Sequence, residues 1–123
     1  MKARAMFLSV ALAAGSLALT MGGAGAVGRA TTTITIEGPN GDFHGEIRSV
    51  RECRGGRRVK VFKQLGAQPS PPDDLLIASD ISERQGRVGV WAVGNTGYRR
   101  GRFYAKVTRT TDCGAALSST IRL

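Results

Sequence analysis

Reactive side chains are scarce in this chain of 123 residues, which has one histidine and two cysteines. Asp42 stands two positions before His44, and along an extended strand that spacing puts both on one face, as an acid-oriented general base requires. A Ser-His-Asp relay would have to use His44, but no serine stands in a nucleophile setting such as G-x-S-x-G. A solvent-facing strand histidine is the plainer reading, so no catalytic residue is assigned and the chain is read as a non-enzyme. Asp73-Asp74 offers adjacent carboxylates without the spaced oxygen ligands that calcium takes. Cys53 and Cys113 are too distant for a C-x-x-C redox pair and, beside a single histidine, too few for a zinc set. No metal or cofactor is therefore expected.

The positive chemical signal is cationic. The stretch "VRECRGGRRVKVFKQ", residues 50 to 64, holds four arginines and two lysines against one glutamate. Arg51, Arg54, Arg57, Arg58, Lys60 and Lys63 gather there, and Arg99, Arg100, Arg102, Lys106 and Arg109 gather later in the chain. Lys60 alternates with Val59 and Val61, while Arg102 and Lys106 alternate with Phe103 and Ala105, so these cations should face out from half-buried strands. If the two strands share a sheet, Arg57, Arg58, Lys60, Lys63, Arg99, Arg100, Arg102 and Lys106 merge into an anion-binding surface with Tyr104 in its middle. Otherwise they only keep a small domain soluble and discourage edge pairing.

The elements that must position these residues are short alternating runs separated by Gly, Pro, Asn and Asp, with no sustained helical period, which reads as all-β. "TTTITIE" (31 to 37) is a β-branched strand followed by the turn cluster "GPNGD". A second strand runs from Phe43 to about Val50, with Ile47 inward and Glu46 and Arg48 outward. "VKVFKQL" is the third, and Phe62 on its polar face implies some cover there. "GAQPSPPDD" holds three prolines in four residues, which favours an extended, protruding connection. "LLIASD" is a fourth strand and "ISERQGR" a polar turn. "VGVWAVG", apolar on both faces, is a central strand. "RFYAKVTR" is the sixth and "ALSSTIRL" the last, with Leu117, Ile121 and Leu123 in register. Seven strands imply a single antiparallel β-sandwich of two packed sheets.

The first residues have the layout of a secretory signal peptide: Lys2 and Arg4, then an uncharged run from Ala5 to Leu19, then small residues at Ala24-Gly25-Ala26. Cleavage is expected after Ala26, with Ala30 as a second choice, giving a signal peptide (1–26) and a secreted domain (27–123). Losing Lys2 and Arg4 leaves 16 basic and 9 acidic residues in 97, a formal charge of +7. An exported chain meets an oxidising compartment, so Cys53 and Cys113 should pair. No second apolar stretch of spanning length follows.

"GEIRSVRECRGGRRVKVFKQ", "DDLLIASDISERQGRVGV" and "GRFYAKV" with a following cysteine together resemble the prealbumin-type modules of transthyretin-like secreted proteins and carboxypeptidase regulatory-like domains. Gly45 to Ile47, Val59 to Val61, Glu83 to Val88 and Gly101 to Val107 stand at that pattern's G-x-[VI], V-x-[VL], D-x-x-G-[RKE]-[FWY] and G-x-[FY]-x-[AL]-x-V steps. Glu83 takes the place of the usual aspartate and Val88 that of the usual aromatic. The likeness spans most of residues 31 to 123. It implies a β-sandwich with an accessory or interaction role, and it transfers no site.

The expected function is a small secreted interaction or structural module that binds an anionic surface polymer through its basic sheet face, or another secreted protein. The alternative is an inhibitor or effector that grips a partner through the proline-rich loop 67–74, since a rigid loop loses little entropy on binding. No recognition helix, RNA-binding aromatic motif or zinc finger is visible, so sequence-specific nucleic-acid reading is not expected.

Overall fold

The structure is a computed structural model that describes residues 28–123. The expected signal peptide lies outside the described residues. Among the described residues nine antiparallel strands form two sheets. The first sheet has the order β1-β2-β6-β5, from β1 (Thr33–Ile34), β2 (Asp42–Arg48), β6 (Val88–Asn95) and β5 (Glu83–Gln85). The second has the order β4-β3-β7-β8, from β4 (Leu75–Ile81), β3 (Arg58–Lys63), β7 (Arg102–Val107) and β8 (Ala116–Leu117), with β9 (Ile121–Arg122) also paired to β7. Among the described residues no helix is long and apolar enough to cross a membrane.

Alternation selects the core. Ile47 and Trp91 from the first sheet meet Val59, Val61, Phe103, Ala105 and Val107 from the second, all of them buried. Phe43 lies against Phe103 with ring centroids 4.9 Å apart, and Tyr98 meets the edge of the same ring at 6.0 Å. Gly45 stands opposite Trp91 in the β2–β6 register, and a Cβ there would run into the Thr35 carbonyl oxygen and the indole nitrogen. Only glycine lets these strands close.

Two extra strands separate the observed nine from the expected seven. β5 occupies part of the presumed polar turn: Glu83, Arg84 and Gln85 pair with Val90, Gly89 and Val88, and Gly86 takes the positive φ (63°) that a two-residue hairpin loop demands. The last strand is split because Lys106 pairs with Leu117 but Phe103 with Ile121, one residue more on the C-terminal side. Ser118 fills the break by accepting the Ala105 amide on its hydroxyl at 2.8 Å. This bulge puts Leu117 on the outer face and Ile121 on the core face, so the two are not in register as the sequence pattern implied.

Cys53 and Cys113 form a disulfide across 60 positions, joining the 3-10 turn at Arg51–Cys53 to the loop after β7. The N-terminal segment is drawn to the same place, where the Ala30 amide donates to Asp112 O and the Gly114 amide to Ala30 O, each at 2.8 Å.

Candidate interaction face

β3 and β7 are adjacent, which brings the two basic strands into one sheet. Lys60 lies directly across from Lys106, and Phe62 across from Tyr104. Partners in a pair share a face, so the remaining pairings extend this outer face. Ser79 and Leu117 flank the two lysines, Ile81 stands beside Arg58, Leu76 beside Phe62 and Arg122 beside Arg102. The result is a row of cations interrupted by aromatic and aliphatic side chains. Among the described residues the ion pairs are His44–Glu37 and Arg48–Glu46, both on the first sheet. The cations of this second-sheet face therefore have no carboxylate in contact.

The proline-rich segment does not protrude; it folds back over one end of this face. The Asp74 carboxylate accepts the Leu65 amide at 2.9 Å, the Ser70 amide at 2.7 Å and the Tyr104 hydroxyl at 2.6 Å. These bonds, the tyrosine's first, hold the Asp74 carboxyl below its ordinary pKa, and nearby Arg102 adds to the effect. Burial, then the bond to Asp74, pushes the Tyr104 phenol well above its usual range. Tyr104 stacks on Phe62 with centroids 5.4 Å apart. Both rings are buried, so the cover that Phe62 implied is supplied by the loop. Beside them runs an open groove of about 550 Å³ lined by Lys60, Lys106, Phe62, Leu76, Pro71 and Pro72, with Asp74 at its end.

Four of the eight expected anion-binding residues do not belong to this surface. Arg57 is buried, 2 % exposed, because it shares the inward parity of Val59 and Val61. Its guanidinium donates to Cys53 O at 2.9 Å, Thr108 O at 3.0 Å, Gly114 O at 2.7 Å and Thr32 Oγ1 at 3.4 Å. It ties together the segments that the disulfide also joins, without any carboxylate partner. Lys63 follows the same parity to the core-side rim, where its ammonium lies 5.9 Å from the Tyr98 ring centroid. Arg99 and Arg100 are exposed in the β6–β7 turn, away from the sheet face. Tyr104 is central in register but hidden beneath the loop. Arg58, Lys60, Arg102 and Lys106 remain, joined by Arg122, whose place only the C-terminal bulge reveals.

His44 does not face the Asp42 carboxylate. A bulge between Phe43 and His44 turns the ring so that Nε2 meets Glu37 Oε1 at 3.1 Å and Nδ1 meets the Asp42 backbone oxygen at 3.1 Å. Both nitrogens are thereby occupied. Among the described residues no three His, Cys, Asp or Glu side chains gather as a metal would require. Neither a protein-family model nor a curated protein sequence matches the chain.

Proposed function

We propose that this protein is an exported, non-enzymatic interaction module that engages an anionic partner through the outer face of its second sheet. One observation carries the reading. Lys60 and Lys106 are directly opposed across β3 and β7 with no carboxylate in contact, although like charges so placed repel and cost stability. An anion bridging the two ammoniums removes that repulsion. Arg58 and Arg122 extend the positive potential along the face. The disulfide accords with export, and the prealbumin-type resemblance points to the same accessory role. The loop-directed alternative has less support, because Asp74 fastens that loop down.

The reading is tested by retention on a sulfated-polysaccharide column. Wild type is retained and released as salt rises, since screening weakens exposed charge contacts. A Lys60→Glu/Lys106→Glu variant elutes at markedly lower salt. Equal elution of the two proteins refutes the role of this face.

A further inference from the structure

The same face carries more than charge. Among the described residues six large apolar side chains are exposed: Val50, Leu65, Leu75, Leu76, Ile81 and Leu117. Leu76, Ile81 and Leu117 stand on the outer face of the second sheet, next to Phe62, Arg58 and Lys106 in register. Leu65 and Leu75 lie at its rim, where β3 ends and β4 begins. Only Val50 lies elsewhere, before β3 on the 3-10 turn. Exposed hydrocarbon is thus gathered on one side of the molecule, interleaved there with Arg58, Lys60, Lys106 and Arg122, none of which has a carboxylate in contact. Seven of the nine acidic residues lie off this face, and the other two, Asp73 and Asp74, sit on the loop at one end. The Asp74 carboxylate is already committed to three hydrogen bonds.

We infer that the partner of this face is the surface of an anionic lipid bilayer, on which Arg58, Lys60, Lys106 and Arg122 meet headgroup phosphates while Leu76, Ile81 and Leu117 enter the boundary beneath them. This rests on the reading proposed above and narrows it. A soluble polyanion needs only charge, and aliphatic side chains between the cations add nothing to its binding. An interfacial bilayer site needs both, since a single weak signal gives only marginal attachment whereas apolar insertion and basic residues reinforce one another. The apolar residues are interleaved with the basic ones rather than collected in a separate patch, as a shallow, flat docking of the sheet face requires.

The test is co-sedimentation of the full secreted chain with vesicles of phosphatidylglycerol and phosphatidylcholine, against vesicles of phosphatidylcholine alone. Wild type binds the anionic vesicles and not the neutral ones. Lys60→Glu/Lys106→Glu weakens that binding by at least roughly 30-fold, and it also lowers retention on the polysaccharide column. Leu76→Ser/Leu117→Ser weakens vesicle binding by about 10-fold while leaving polysaccharide retention unchanged. In wild type, a spin-labelled lipid broadens the methyl resonances of Leu76 and Leu117 and spares those of Val50, which is exposed but off this face, a readout independent of any variant's folding. Polysaccharide retention without vesicle binding, or vesicle binding indifferent to the leucine pair, overturns the bilayer inference and leaves the anionic-partner reading standing. A concentration-dependent dimer that buries the leucines and binds no vesicles also overturns it. Failure of both vesicles and polysaccharide removes both.

Discussion

Replacing Arg57 with methionine keeps a long side chain in place and removes every donor it carries. Two effects oppose each other. Without the guanidinium, the carbonyls of Cys53, Thr108 and Gly114 lose bonds of 2.9, 3.0 and 2.7 Å, and each buried acceptor left unpaired costs about 1–3 kcal/mol. Thr108 and Gly114 are only half-buried, so the lower end applies and the loss is roughly 3–5 kcal/mol in all. On the other side, methionine need not be dehydrated as a cation is. Burial lowers the pKa of Arg57, which is the sign of that cost, and removing the charge returns roughly 1–2 kcal/mol. The net expectation is a loss of about 2–3 kcal/mol. Urea unfolding of the oxidised protein, followed by fluorescence of the only tryptophan, buried Trp91, measures it. Arg57→Lys should lose a comparable amount, because one ammonium cannot reach carbonyls on separate segments as a planar fork does. A loss below about 1 kcal/mol in the methionine variant would show that the three carbonyls find other donors, and that Arg57 is not a tie between the disulfide-linked segments.

Reducing the Cys53–Cys113 bond frees a loop of 60 positions and should lower stability by about 4 kcal/mol in the chain-entropy treatment, read as a fall in the urea midpoint on adding reductant. Gly45→Ala drives a methyl toward the Thr35 carbonyl and the Trp91 indole and should cost about 1–3 kcal/mol with a change in Trp91 emission; an unchanged midpoint would argue against that close approach. Because the Asp74 pKa is depressed on folding, its contribution is present above the ordinary carboxylate value of 3.8 and is lost as pH falls through the lower folded value. The Leu65 and Ser70 amide resonances should therefore titrate together with a midpoint below 3.8, and a midpoint at or above it would contradict the hydrogen-bonded loop. The Tyr104 phenol, raised on folding, contributes fully below its ordinary value of 10.0 and loses that contribution only as pH climbs through its folded pKa. Tyr104→Phe should accordingly make the loop 66–73 more open to protease at neutral pH.

The two-sheet architecture was legible because period-two alternation survives wherever one strand face is buried: Val59 and Val61, then Phe103, Ala105 and Val107, all lie in the core where the pattern puts them. The disulfide was legible from the expectation of export and from the presence of just two cysteines. The cationic face was half legible. Lys60 and Lys106 follow from alternation, yet the same alternation, carried two positions outward from Val59 and Val61, already assigns Arg57 and Lys63 to the inner side. Charge type masked that parity, although the two terminal guanidinium nitrogens of Arg57 find three carbonyls and the Thr32 hydroxyl inside the fold, with Nε left unpaired. The places of Leu117 and Arg122 depend on a one-residue bulge at Ser118. A single inserted residue reverses which face every following side chain takes, and nothing in "ALSSTIRL" marks where it falls. The tethered loop was hidden for a related reason. Proline density implies extension, but whether an extended segment projects or lies flat is decided by one carboxylate, Asp74, meeting a hydroxyl 30 positions away.

The most direct measurement is a backbone-amide NMR titration of the oxidised protein with a sulfated oligosaccharide at low salt. Shifts confined to Arg58, Lys60, Lys106, Leu117 and Arg122, with Glu46, Val90 and the rest of the first sheet unmoved, are the expected result. Shifts centred on the first sheet or on the Arg99–Arg100 turn, or none at all, would contradict the assignment of the second sheet's outer face as the partner surface.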